Sequence, residues 1–348
     1  MSYQYEIKLK PVEPYFFGGE NTFAQDDSRN EGARYSAKST LFPQQTALLG
    51  MLRKTMLIQN GHLTLHKKGE WVDSKGGRNG NDKNYYDALS LTGKGAFSYE
   101  EESDLGTITS VSPLYLSLQG EDYLVNAKDS AYEPQFLSSR MQLSQEVQKS
   151  FFLKGYNSKK PLRMEFLTQH SKARTFESIF QEVNSVGIKK SDDGQSEEDA
   201  FFQKTSYLLK DGACFSFIAT FSQELSFKKA FVTLGAEQSS FVLEVTQSDL
   251  GFEEKFKEIF QPKTVDRLVL TSETLLSEEA YEQCSFVLAS RQPYRQLRTA
   301  SGQKSKRYYL FERGSVLYTE NIETLSAALS QPHLQQAGIN HFIAVKGA

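Results

Sequence analysis

Cysteine is almost missing from this 348-residue chain: Cys214 and Cys284 are the only two. Two thiols make neither a disulfide framework nor a zinc cluster, and they read as buried groups in a reducing compartment. Tryptophan occurs once, and no apolar run approaches the roughly 20 residues of a membrane span. The start, Met1-Ser2-Tyr3-Gln4-Tyr5-Glu6-Ile7-Lys8, lacks the apolar core of a signal peptide, so a cytoplasmic location is expected. Positive charge is short as well, with a net charge of −3. That argues against a freestanding nucleic-acid binder and leaves room for a subunit with one basic groove. Signatures of catalysis are lacking. Gly76-Gly77 and Gly93-Lys94-Gly95 do not have phosphate-loop spacing. The acidic run near 192–199 lacks the EF-hand pattern, and no GxSxG nucleophile elbow occurs. His62 and His66 stand four apart, but Leu63 and Leu65 alternate as in a strand and no HExxH carboxylate accompanies them. The expectation is a chain with no metal, no cofactor and no catalytic residue.

Aromatic residues are plentiful, with 25 Phe and 17 Tyr. Most of these belong in a core built on strands. Residues 3–12 alternate as an amino-terminal strand, and residues 15–40 read as a long ordered loop. Pro43 opens a helix in which Leu48, Leu49, Leu52 and Met56 form one stripe while Arg53 and Lys54 leave it. Residues 60–106 read as a polar, mobile insertion. Residues 107–126 return to strands with a turn at Gln119-Gly120, and 135–185 read as mostly helical. The acidic stretch at 191–199 reads as a domain seam. Strands follow at 212–221, with Phe215, Phe217 and Phe221 on one face, and at 229–234, 240–246, 265–271 and 285–290. A short helix is expected near 251–260. A hairpin over 305–320 turning at Arg313-Gly314, a helix at 322–330 and a last strand at 342–347 complete the chain. The pattern points to an α+β fold of two ferredoxin-like (RRM-like) domains, 1–190 with insertions and 191–348.

The basic clusters carry the functional reading. Residues 291–313 hold Arg291, Arg295, Arg298, Lys304, Lys306, Arg307 and Arg313 against Glu312 alone. Tyr294, Tyr308 and Tyr309 are interleaved among them. Cations that follow phosphates, beside rings on which bases stack, suit single-stranded RNA. Alternation places one of Tyr308 and Tyr309 in the core. A second group combines Arg34 and Lys38 with Arg53 and Lys54, and Tyr35 is a further stacking candidate. Gly18, Gly19, Gly235 and Gly314 are positions at which backbone could approach a ligand closely.

Five segments, in order, resemble one family: EPYFFGG with LFPQQTALLGMLRK, SPLYLSLQGEDYLVNAKD, VGIKKSDDGQSEEDAFFQKTSYL, LGAEQSSF and FERGSVLY. Together they are similar to the RAMP proteins of type III CRISPR effector complexes, above all the subunit-three family of the type III-B (Cmr) complex. The resemblance implies two ferredoxin-like domains with a cleft between them. It implies a non-catalytic subunit that holds the repeat-derived 5′ tag of the guide RNA (crRNA). The implied partners are the large polymerase- or cyclase-like subunit and the backbone RAMP subunit that coats the guide, with target RNA reached indirectly. Phe23 or the 60–100 insertion would be the wedge beside a flipped nucleotide. Two departures stand out: Ala236 replaces the second glycine of a Leu-Gly-Gly-Glu motif, and the carboxyl-terminal glycine-rich loop is reduced to Gly314 and Gly338. The sister type III-A (Csm) subunit resembles the chain in the same way. The alternatives are a RAMP endoribonuclease using His341 or His62 as its base, and a scaffold that binds only protein.

Overall fold

The computed structural model describes residues 2–18, 21–24, 34–65, 71–73, 83–140, 147–160, 162–190, 196–235, 237–290 and 305–348. It is a mixed α+β chain dominated by antiparallel strands. The largest sheet runs in the spatial order 173–175, 165–167, 121–125, 115–118, 213–221, 3–11, 239–247, 229–234, with 108–111 beside the end of 213–221. Alternation in the first strand turns Ile7 and Leu9 inward, where they meet Phe215, Phe217, Phe221, Phe241 and Leu243. The helix Gln45–Gln59 lays Leu48, Leu49, Leu52 and Met56 on the same core. Its first turn has no side-chain cap of its own. Instead the Glu273 carboxylate accepts from the Gln45 backbone N–H at 3.5 Å, placing negative charge where the helix dipole favours it.

The expected turn at Gln119-Gly120 is present: both residues have positive φ, 53° and 83°, as a two-residue hairpin loop between Tyr115–Leu118 and Glu121–Val125 requires.

A second sheet is built from Arg267–Leu270, Phe286–Leu288, Val316–Tyr318 and Phe342–Val345. Helix Glu278–Glu282 joins the first pair, and helices Ile322–Leu329 and Pro332–Gln335 join the last. All ladders are antiparallel, and the spatial order is second, third, first, fourth. This is split βαβ connectivity. Asn321 and Ser277 cap its two longer helices by accepting from Thr324 N at 3.0 Å and Ala280 N at 3.2 Å. Beneath the sheet, Arg267 Nε lies 3.3 Å from Asp129 Oδ2, which also accepts from the Tyr318 hydroxyl at 2.8 Å. Asp129 is 0% and Arg267 2% exposed.

The two sheets share a core in which Tyr115 and Ile218 pack with Val269, Val316 and Tyr318, and the helix Phe252–Lys255 beside it is anchored on the large sheet through Lys255. Its ammonium lies 2.6 Å from Glu6 Oε1, 2.7 Å from Asp122 Oδ2 and 3.0 Å from the Tyr115 hydroxyl. Burial pushes the Glu6 carboxyl up, but the hydrogen bonds from Lys255 and Tyr115 outweigh it and hold Glu6 below its ordinary value.

Several expectations are corrected. The stretch 135–185 is not helical: it holds the hairpin Glu133–Arg140 with Val147–Lys154, the strands Glu165–Leu167 and Ala173–Thr175, and only a four-residue helix, Phe176–Ile179. Within the 15–40 loop, Asn21–Ala24 and Arg34–Lys38 are strands of a four-stranded sheet with Phe180–Lys190 and Ser196–Leu209. The 60–106 stretch contains the helix Lys83–Thr92, packed on Gln45–Gln59, and a short hairpin. The expected hairpin at 305–320 does not form. Phe311 instead exchanges backbone hydrogen bonds with Thr274, and Val316–Tyr318 pairs with strands on both its sides. Strands 213–221 and 239–247 flank the first strand, so the large sheet takes in residues on both sides of 190/191. The regular second unit is split βαβ, whereas the larger sheet is more elaborate than the expected first ferredoxin-like domain.

Candidate nucleic-acid interface

Helix Gln45–Gln59 presents Arg53 and Lys54 away from its buried stripe, both half-buried. Arg53 Nη2 donates to the Asp104 carbonyl at 2.6 Å. Burial lowers the Arg53 guanidinium from its ordinary value against the pull of Asp104, and it remains a cation. Asp104 belongs to a turn that also touches the second basic group. Tyr99, in the same short segment, packs against Tyr308 with ring centroids 4.7 Å apart and the rings tilted by 43°, and Lys306 pairs with Glu100. Lys306 also sits over the Tyr308 ring, 5.4 Å from its centroid. Residues 97–106 therefore contact both Arg53 and Lys306, whose chain neighbours are Lys54 and Arg307. These four cations come from opposite ends of the sequence.

The tyrosine pair divides as alternation requires: Tyr308 is 7% exposed and Tyr309 53%. Tyr309 is the ring on this segment that faces solvent beside the exposed Lys306 and Arg307. Lys38 is exposed and pairs with Glu182 at 3.3 Å. Burial pulls its ammonium down slightly, but Tyr207 and Glu182 raise it above the ordinary value. Arg34 and Tyr35 lie on the strand Arg34–Lys38, with the Tyr35 backbone opposite Phe23 and Phe202. Gly19, Arg291, Tyr294, Arg295, Arg298 and Lys304 lie outside the described residues.

Arg313 is a correction. It is 3% exposed, stacks over Phe42 at 5.0 Å and donates from Nη2 to Gln45 Oε1 at 3.2 Å. A guanidinium in that position joins the helix start to the second sheet and does not face a phosphate. Gly314 and Gly235 do permit close backbone approach, but to the protein itself. A Cβ on Gly314 would stand 2.6 Å from the Asn126 carbonyl, and one on Gly235 2.6 Å from the Phe16 carbonyl. Gly18, with φ +71°, faces open space.

His341 lies where two cavities meet. One, of about 580 Å³, is bounded by Phe252, Phe256, Phe260 and the strand Phe342–Val345. The other, of about 320 Å³, is bounded by Ser110, Ile218 and Gln336. His341 Nε2 is 2.9 Å from the Gln335 carbonyl and Nδ1 3.6 Å from Glu253 Oε1. Both ring nitrogens thus face protein atoms, unlike a base aimed at a 2′-hydroxyl. His62 follows the helix end, and His66 lies outside the described residues. Among the described residues no three His, Cys, Asp or Glu side chains converge as a metal site, and no helix is long and apolar enough to cross a membrane.

Residues 7–343 match the CRISPR-associated protein (Cas_Cmr3) family. The chain belongs to that family. The Cas_Cmr3 match begins within the first strand and ends within the last, so it takes in both sheets. No curated protein sequence matches the chain. Among solved structures, a chain of the type III-B Cmr-beta complex bound to cognate target RNA and AMPPnP is similar at TM-score 0.52 and 10% identity. The match covers 97% of this chain and 96% of that one. A chain of the same complex bound to cognate target RNA alone gives TM-score 0.52 and 11% identity over the same shares. At that identity the likeness is one of fold. In this Cas_Cmr3 protein the sequence reading passed over one group on the outer face of the large sheet, the exposed Lys10, Lys229 and Phe231 with the half-buried Lys8. The alternation in YQYEIKLK and KAFVTL carried the signal.

Proposed function

We propose that the chain is a non-catalytic guide-RNA-binding subunit of a type III-B Cmr effector complex. In this role it holds the repeat-derived 5′ tag and docks on the large polymerase-like subunit and on the guide-coating backbone subunit, in antiviral defence. The observation that carries the reading is that residues 97–106 contact both Arg53 and Lys306, each followed in the chain by a second cation, Lys54 and Arg307. Family membership and a fold shared with a chain of a Cmr-beta complex bound to target RNA support it. The cations neutralise phosphates, and Tyr309 offers a ring to a base. The segment 291–304, with its further arginines and Tyr294, extends the same basic run.

A gel shift comparing RNA that carries the repeat-derived 5′ end with RNA that lacks it, in the presence of the large subunit, tests the reading. Preference for the tagged RNA is expected, and equal binding of both would contradict it. The endoribonuclease reading predicts metal-independent cleavage of repeat RNA that disappears in His341→Ala. The Nε2 hydrogen bond to the Gln335 carbonyl and the placement of Nδ1 3.6 Å from the Glu253 carboxylate speak against it.

A further inference from the structure

We propose that the outer face of the large sheet, at its open edge, is a second platform for single-stranded RNA. Phe231 would stack a base there, and Lys8, Lys10 and Lys229 would hold the neighbouring phosphates. The proposal goes beyond the tag-binding reading and rests on its premise that this chain contacts RNA.

Among the described residues, the edge strand Lys229–Leu234 pairs with Ser239–Gln247 alone. It sends Ala230, Val232 and Leu234 into the core and Lys229, Phe231 and Thr233 outward. Outward positions on such a strand are ordinarily polar, yet here a phenylalanine stands 82% exposed. Strand register puts cations around it. Lys8, Glu244 and Lys229 share one rung, and Lys10, Val242 and Phe231 share the next. Strands lie about 4.8 Å apart and same-face residues about 6.8 Å apart, so Lys10 and Lys229 flank the ring at roughly 7–10 Å. Glu244 bridges the two, 2.9 Å from Lys10 and 3.2 Å from Lys229, which fixes both ammonium groups beside the ring. Hydrogen bonds from these lysines hold the Glu244 carboxyl below its ordinary value, so it stays ionised.

The remaining positive charge, on a chain of net charge −3, favours a polyanion over an apolar protein patch. An apolar partner covering Phe231 would strip water from Lys10 and Lys229, which share the one Glu244 carboxylate, while Lys8 pairs with Glu6 at 3.2 Å. A base on the ring with phosphates on the lysines keeps the ammonium groups paired. The helix Gln45–Gln59 lies on the opposite, inner face. The platform is therefore separate from the cations around 97–106.

The test uses the full-length protein and a labelled 12-nucleotide single-stranded RNA without the tag. Affinity is read by fluorescence anisotropy across salt concentrations, with ultraviolet cross-linking to map the contact. Phe231→Ala should weaken binding roughly 5- to 150-fold, the range for losing one base–aromatic stack. Lys10→Gln with Lys229→Gln should flatten the log–log salt slope by about 1.4. The cross-link should fall on the peptide containing Phe231. Wild-type binding with neither variant changed overturns the proposal. So does a Phe231→Ala protein that binds RNA normally but drops out of the reconstituted complex, which would make the face a protein dock. Lys306→Ala with Arg307→Ala serves as the parallel arm. If it weakens tagged RNA while Phe231→Ala leaves untagged RNA untouched, only this inference fails. If the wild type binds neither RNA, the tag-binding reading fails as well.

Discussion

Arg307 and Arg313 belong to one basic run and do opposite things. Arg307 stands exposed on the extended stretch before the Thr274–Phe311 bridge, next to Lys306 and Tyr309. Arg313, just past that bridge, is stacked on Phe42 and bonded to Gln45, inside the junction of helix and second sheet. The same division separates Arg267 and Lys255, turned inward on carboxylates, from Lys10 and Lys229 on the open sheet face. Charge composition alone does not distinguish cations that bind from cations that build. The partners around each cation do: Phe42 and Gln45 enclose Arg313, and Glu6 and Asp122 hold Lys255, whereas Lys10 and Lys229 share Glu244 on the outer sheet face.

The largest effects should come from breaking the inward set. Asp129→Ala leaves Arg267 buried without its carboxylate and should cost about 3–5 kcal/mol of stability, seen as a lower denaturant midpoint. Arg313→Ala removes the hydrogen bond to Gln45 and the contact with Phe42, and about 2–4 kcal/mol should be lost. The folded fraction of either variant should keep the wild-type salt dependence of RNA binding. A flattened slope in Arg313→Ala would erase the division between the two arginines.

Lys255 sharpens the comparison through pH. The Glu6 carboxyl is held low in the folded protein, so its contribution is complete above the ordinary carboxylate value near 4.5. It is lost as pH falls through the lower folded value. Glu6→Gln should cost about 1.5–3 kcal/mol at neutral pH and reduce the stability lost on acidification. An unchanged acid-unfolding profile would mean that this cluster does not hold the helix Phe252–Lys255 on the large sheet.

The outward set should show the reverse signature. Lys306→Ala with Arg307→Ala should leave stability within about 0.5 kcal/mol. The smallest effect is Glu100→Gln. It releases Lys306 from a surface pair worth about 0.2–1 kcal/mol and should tighten RNA binding by at most a few-fold, measured by anisotropy.

Much of the frame was legible in the sequence. Alternation located 3–11, 213–221 and 239–247, and the stripe of Leu48, Leu52 and Met56 located the first helix. The division of Tyr308 from Tyr309 followed from the same rule. What failed was local signal that distant partners override. Strands Glu133–Arg140 and Val147–Lys154 pair antiparallel, and Phe151 stacks on Phe286 at 4.6 Å, a contact with a distant strand that periodicity over a short window does not encode. The Arg313-Gly314 turn looked like a hairpin because its flanks alternate. Yet Gly314 N–H donates to the Leu270 carbonyl, and the chain before it bridges Thr274. The convergence of Arg53 with Lys306 was not legible either, since it passes through Asp104, Glu100 and Tyr99, whose neighbourhood reads only as polar loop.

The most direct measurement is the salt dependence of tagged guide-RNA affinity for the wild type and for Lys306→Ala with Arg307→Ala, with the large subunit present. The log–log slope should flatten by about 0.7 for each phosphate contact removed. An unaltered slope and affinity in the variant, with tight wild-type binding, would mean that RNA does not lie along residues 97–106.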